Sequence, residues 1–138
     1  MRQYNGESIR LMTNLVLTNS TRTYNQMMEM NLRELIETVT YIKTGKPDSF
    51  KWLMDNKHLS LAAFANAARG DKTAFRWLMQ HKAVFWAATA NAVNKDKKAL
   101  AWLRLNKFIV YAELAEALIE FYSKDEADDV AGYYKPPG

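Results

Sequence analysis

Residues 45–69 read GKPDSFKWLMDNKHLSLAAFANAAR, and residues 70–94 read GDKTAFRWLMQHKAVFWAATANAVN. Aligned without a gap, the two stretches are identical at 11 of 25 positions, and residues 95–119 (KDKKALAWLRLNKFIVYAELAEALI) match the second at nine. Six columns hold through all three copies: Trp52/Trp77/Trp102, the Leu after each, Lys57/Lys82/Lys107, and the alanine columns Ala62/Ala87/Ala112, Ala65/Ala90/Ala115 and Ala67/Ala92/Ala117. A fixed period of this kind marks a tandem array, in which each unit buries its apolar face against the next.

Each copy reads as two short helices. The first begins after a cap position, Lys46, Asp71 or Asp96; Asp caps a helix well, and Pro47 suits a first helical turn. Its apolar residues recur at helical spacing, as in Phe50, Leu53, Met54 and Phe75, Leu78, Met79. Polar breaks follow at Asn56-Lys57, His81-Lys82 and Asn106-Lys107. The second helix runs through residues 61–68 and their counterparts and is apolar nearly all round, which predicts burial on several sides. Ala62 and Ala65 share one face, whereas Ala67 lies roughly 140° from Ala62. Small residues on two faces let neighbouring helices approach closely from both sides.

The expected fold is therefore all-α: a short α-solenoid of about three 25-residue helical hairpins, with an N-terminal helical cap and an extended last helix. At ~150 residues per domain, a chain of 138 residues makes one domain. Residues 1–44 form the cap, with helices at about Gly6–Thr18 and Thr23–Thr44; Tyr24, Met27, Met28, Leu35, Val39 and Ile42 echo a degenerate fourth copy. Residues 45–123 hold the three hairpins, the last helix reaching Phe121 and Tyr122. Residues 124–138, with Asp125–Asp129 and a closing Pro-Pro-Gly, read as a flexible acidic tail. Over residues 45–119 the arrangement resembles, in shape alone, helical-hairpin repeat proteins such as tetratricopeptide or HEAT arrays. The period is shorter than theirs, and no functional residue carries over.

Composition removes several kinds of chemistry. There is no cysteine, hence no disulfide, thiolate metal site or cysteine nucleophile. Only two histidines occur, His58 and His81, in different repeat columns and without a sequence-adjacent carboxylate or nucleophile, so both read as turn residues. Glu113, Glu116 and Glu120 share a helical face but have no histidine partner, which fits a solvated surface better than a metal site. The expectation is no enzyme activity, no metal and no cofactor. Neither a signal peptide nor a membrane span is evident, giving a cytoplasmic protein without membrane association.

Two binding readings remain. On a helical wheel Trp52 lies about 150° from the stripe of Phe50, Leu53 and Met54. Trp52, Trp77 and Trp102 form either an aromatic row, flanked by Lys51 and Arg76, that holds a peptide or stacks nucleobases, or the packing between hairpins. Packing is the preferred reading, because exposed patches of that size are uncommon. Residues 45–107 carry twelve Lys and Arg against four Asp and no Glu, whereas residues 108–138 carry two Lys and seven acids. Lys57, Lys82 and Lys107 would present cations along one edge of the array. Neutralising the ends of the first helices also accounts for their positions, and is preferred. The sequence thus points to a non-enzymatic domain that binds a protein or peptide, an acidic one among the candidates, with binding of a nucleic-acid backbone as the alternative. Lys51, Lys57, Arg76, Lys82 and Lys107 are the candidate contacts; Trp52, Trp77, Trp102, Ala62, Ala87 and Ala112 are the candidate structural columns.

Overall fold

A computed structural model describes the backbone of residues 3–133 and the side chains of residues 3–124. Among the described residues there are nine helices and no strand: α1 (Gly6–Thr18), α2 (Thr21–Glu29), α3 (Arg33–Thr44), α4 (Pro47–Asp55), α5 (Leu59–Ala68), α6 (Lys72–Gln80), α7 (Val84–Val93), α8 (Lys97–Leu105) and α9 (Ile109–Tyr133). The caps fall where the sequence puts them. Asp71 accepts from the Thr73 and Ala74 N–H groups, Asp96 from those of Lys98 and Ala99, and Pro47 opens α4.

Two boundaries differ from the sequence reading. The single helix expected over Thr23–Thr44 is broken at Met30–Leu32, because Asn31 sits at φ 59°. Its N–H donates to Met28 O and that of Leu32 to Met27 O, closing α2 as a left-handed residue closes a helix. The same two bonds close α4 at Lys57 and His58, α6 at Lys82 and Ala83, and α8 at Lys107 and Phe108. The α2–α3 turn is therefore built like the other three. At the other end, α9 continues to Tyr133, into the stretch assigned to the tail. No glycine or proline interrupts the chain between Gly70 and Gly132, and Lys, Glu and Ala all favour helix over residues 124–131. The side chains of Asp125–Asp129 lie outside the described residues, and so does the expectation of a flexible tail.

The helices sort into two layers. α1 packs against α3, α3 against α5, α5 against α7, α7 against α9, and α9 returns to α1, so five helices close a ring. They run the same way. At one end the Tyr4 hydroxyl, just before α1, donates to Glu34 at the start of α3, and Val110 at the start of α9 lies 3.6 Å from where a Cβ on Gly6 would stand. At the other end Lys43 Nζ donates to Val16 O at 3.0 Å, and the Tyr122 hydroxyl to Ile42 O at 2.9 Å. Outside the ring, α2, α4, α6 and α8 each pack on the inner helix before and the inner helix after. All three members of the Ala62, Ala65 and Ala67 columns are buried, which is what lets an inner helix take a neighbour on each side. The largest fully buried side chains, Trp86 and Phe64, lie with ring centroids 4.6 Å apart, and Tyr111 meets Trp86 edge-on at 5.2 Å.

Candidate functional site

The outer helices stand apart, so the inner helix between successive ones is visible as the floor of a groove. The groove between α4 and α6 encloses about 290 Å³, floored by Ala62, Leu59 and Asn66 of α5 and walled by Phe50, Met54 and Trp77. The repeat copies its elements: Met54 and Met79 are 44% and 46% exposed, Leu59 and Val84 43% and 38%. Apolar surface is thus left at matching positions of the first two copies.

Of the three repeated tryptophans, Trp77 walls this groove. Trp52 and Trp77 are half-buried, and Trp102 is 37% exposed, so the row is neither fully packing nor fully free. The Arg33 guanidinium lies 4.6 Å above the Trp52 ring, and His58 stacks on it at 5.6 Å. His81 stacks on Trp77 at 3.8 Å, and Phe108 on Trp102 at 5.7 Å. Asn56 and Asn106 each donate to the backbone carbonyl of their tryptophan at 2.8 Å, and His81 Nδ1 lies 2.9 Å from Trp77 O. A carbonyl only accepts, so Nδ1 carries the proton. Asn and His alternate in that column because each places a donor nitrogen within reach of the same oxygen.

The basic residues fall into two sets. Lys57, Lys82 and Lys107 are exposed and occupy the same turn in three successive hairpins, with φ of 62°, 59° and 65°. Each follows the C-terminus of an outer helix, where a cation faces the last carbonyls. Lys51 and Arg76 lie on the outer helices, also exposed. Lys51 pairs with Asp55 at 2.5 Å; that hydrogen bond and the carboxylate charge push its ammonium above its ordinary value. Arg76 Nη2 reaches Thr73 Oγ1 at 3.5 Å. Lys57 alone of the five meets both histidines, around a second cavity of about 290 Å³ that Tyr4, Trp77 and Trp86 also line.

The acids of α9 are separated. Glu116 pairs with Arg104, Glu120 with Lys124 at 3.4 Å, and Glu113 is half-buried. Among the described residues no three His, Asp or Glu gather into a metal-binding group, and no helix is long and apolar enough to cross a membrane.

Sequence reasoning missed a column of donors that ties the ring together. Lys43 donates to Val16 O, Arg69 Nη1 to Ile42 O and Asn94 Nδ2 to Ala67 O, each across 27 residues to the last turn of the preceding inner helix. Helix C-termini leave carbonyls without partners, and these side chains satisfy them. The residue types differ, so identity columns hide the role; the signal lay in a donor-bearing side chain at each inner-helix end. Lys43 also lies over the Phe121 ring, and burial holds its ammonium below the ordinary lysine value. Asn66 accepts from the Tyr41 hydroxyl at 2.9 Å. No protein-family model matches the sequence, no curated protein matches it, and no solved structure matches the fold.

Proposed function

We propose that the chain is a non-enzymatic scaffold that binds a protein segment across its outer grooves. On this reading residues 45–123 are three solenoid hairpins, residues 21–44 a divergent fourth, and α1 the inner helix of a unit that has lost its outer partner. The observation that carries the proposal is the apolar groove between α4 and α6, with its Met, Leu or Val, and Trp positions recurring one hairpin later. Exposed methionine adapts to varied apolar partners, and half-exposed tryptophan supplies anchoring area. Arg76 and Lys51 are exposed on the same outer helices, Lys51 paired with Asp55, and Asp71 lines the groove itself, so the segment we propose has apolar anchors with acids placed to reach Arg76.

Peptides selected on the full chain should carry that pattern. Met54→Glu with Met79→Glu should weaken the selected peptides by at least about tenfold, since each change buries a charge in the bound state. Both side chains are more than two-fifths exposed, so the folded state should keep its melting curve. Selected peptides that bind this double variant as they bind the wild type would overturn the proposal. Retention on a heparin column that collapses with salt and depends on Lys57, Lys82 and Lys107, with no peptide selected, would favour backbone binding of nucleic acid instead.

A further inference from the structure

The first turn of an α-helix presents N–H groups without intrahelical acceptors, and a capping side chain usually takes one. α2, α6 and α8 follow that rule through Ser20, Asp71 and Asp96. α3, α4, α5 and α7 have no side-chain cap. The N-cap of α5 is His58, whose side chain accepts no bond from the turn, and the N–H groups of Leu59, Ser60 and Leu61 have no acceptor among the described residues. These three residues line the cavity that Lys57, Trp77 and Trp86 also border, and no Asp or Glu lines it.

A second observation comes from α7. Trp86 is 1% exposed, and its indole N–H makes no hydrogen bond among the described residues, where its contacts are with rings. Thr13 Oγ1 is the one described buried side-chain polar atom sealed from solvent without a partner. The indole nitrogen is therefore where Trp86 keeps its small accessible surface, and the cavity is what that surface meets. An indole N–H can only donate. Donors from α5 and α7, one ammonium and no carboxylate thus converge on a single space.

We propose that this cavity binds a small carboxylate on an apolar body, its oxygens taken by the Trp86 N–H and the first turn of α5, with Lys57 as the counter-charge. The side chains of Leu59 and Leu61 and the Trp77 ring give it apolar walls that accept a ring or short chain, beside Tyr4, His58 and His81. One lysine matches a monoanion, whereas a phosphate dianion needs more positive charge and leaves those walls unfilled. The site lies at the turn end of the ring and meets the outer groove at Leu59 and Trp77, which line both. It goes beyond the peptide-scaffold reading and does not depend on it.

Benzoate is a direct probe. The chain has four tryptophans, so a nitrogen-15 spectrum of the full protein shows four indole N–H signals at most. Benzoate titrated at constant ionic strength should move the Trp86 signal saturably, with a Kd of about 1 mM or tighter. Lys57→Gly should weaken binding at least about fivefold without lowering the melting temperature, because the backbone there already has glycine's preferred sign of φ. Trp86→Phe identifies the signal; should that variant unfold, cross-peaks from the indole N–H to the Tyr111 ring identify it in the wild type. A Trp86 signal that benzoate moves no further than chloride, Lys57→Gly binding as the wild type, or phosphate binding more tightly than benzoate overturns the assignment.

Discussion

Lys57, Lys82 and Lys107 hold the same column because a turn, not a ligand, fixes the backbone there. A left-handed residue closes each outer helix, and a side chain bearing Cβ pays a steric penalty at φ near 60°. Lysine nevertheless occupies all three, with its ammonium free to face the last carbonyls of the helix it ends. Lys82→Gly and Lys107→Gly should each stabilise the chain by about 0.5–1 kcal/mol in denaturant melts, the relief of strain exceeding the extra freedom of glycine in the unfolded chain. Destabilisation by either change would mean that the ammonium supplies more than the turn costs. The sequence showed this column as an invariant, but the identity Lys concealed the left-handed backbone, since glycine or asparagine is the usual sign of one. Gly70 and Asn31 are such signs, and the Asn31 break was overlooked because Met30 and Leu32 continue the apolar pattern around it.

At the scale of the element, the alanine-rich inner helix decides how closely units stack. Ala87 is 1% exposed on α7, which packs on α5, α6, α8 and α9. Ala87→Leu should cost roughly 1–3 kcal/mol by overpacking, while the exposed control Lys97→Ala should shift stability by less than about 0.5 kcal/mol. An Ala87→Leu variant melting with the wild type would show that α7 is not tightly held on both sides. Such helices were legible from sequence because three copies repeat the same small residues. Trp86 was not. It occupies a column that reads Leu61, Trp86 and Tyr111, so its role depends on volumes set by Phe64 and Tyr111 across the interior rather than on any repeated identity.

For the whole molecule, the return of α9 to α1 is the feature that sequence could not supply. Periodicity reports what each unit does to the next, and closure depends on the angle accumulated over all of them. The contact between Tyr122 and Ile42 O joins residues 80 apart. Tyr122→Phe should therefore cost about 1 kcal/mol and speed amide exchange at the end of α3 as well as in α9. Unfolding followed by circular dichroism and by tryptophan emission should coincide in one transition, because neither end of the ring is free to fray first. An early loss confined to α1 would show the ring to be open in solution. Closure also fixes copy number. An open array gains or loses a unit by duplication and stays folded, its ends merely further apart. Here, with ~9 Å between neighbouring axes, five helices set the centre about 8 Å from each axis, a span that side chains fill. A sixth inner helix would push that distance to about 9 Å and part Tyr122 on α9 from Ile42 on α3, which are not ring neighbours. Duplicating one 25-residue unit is thus an error this chain is built to reject, and its descendants should vary in the residues of the repeat far more readily than in the number of repeats.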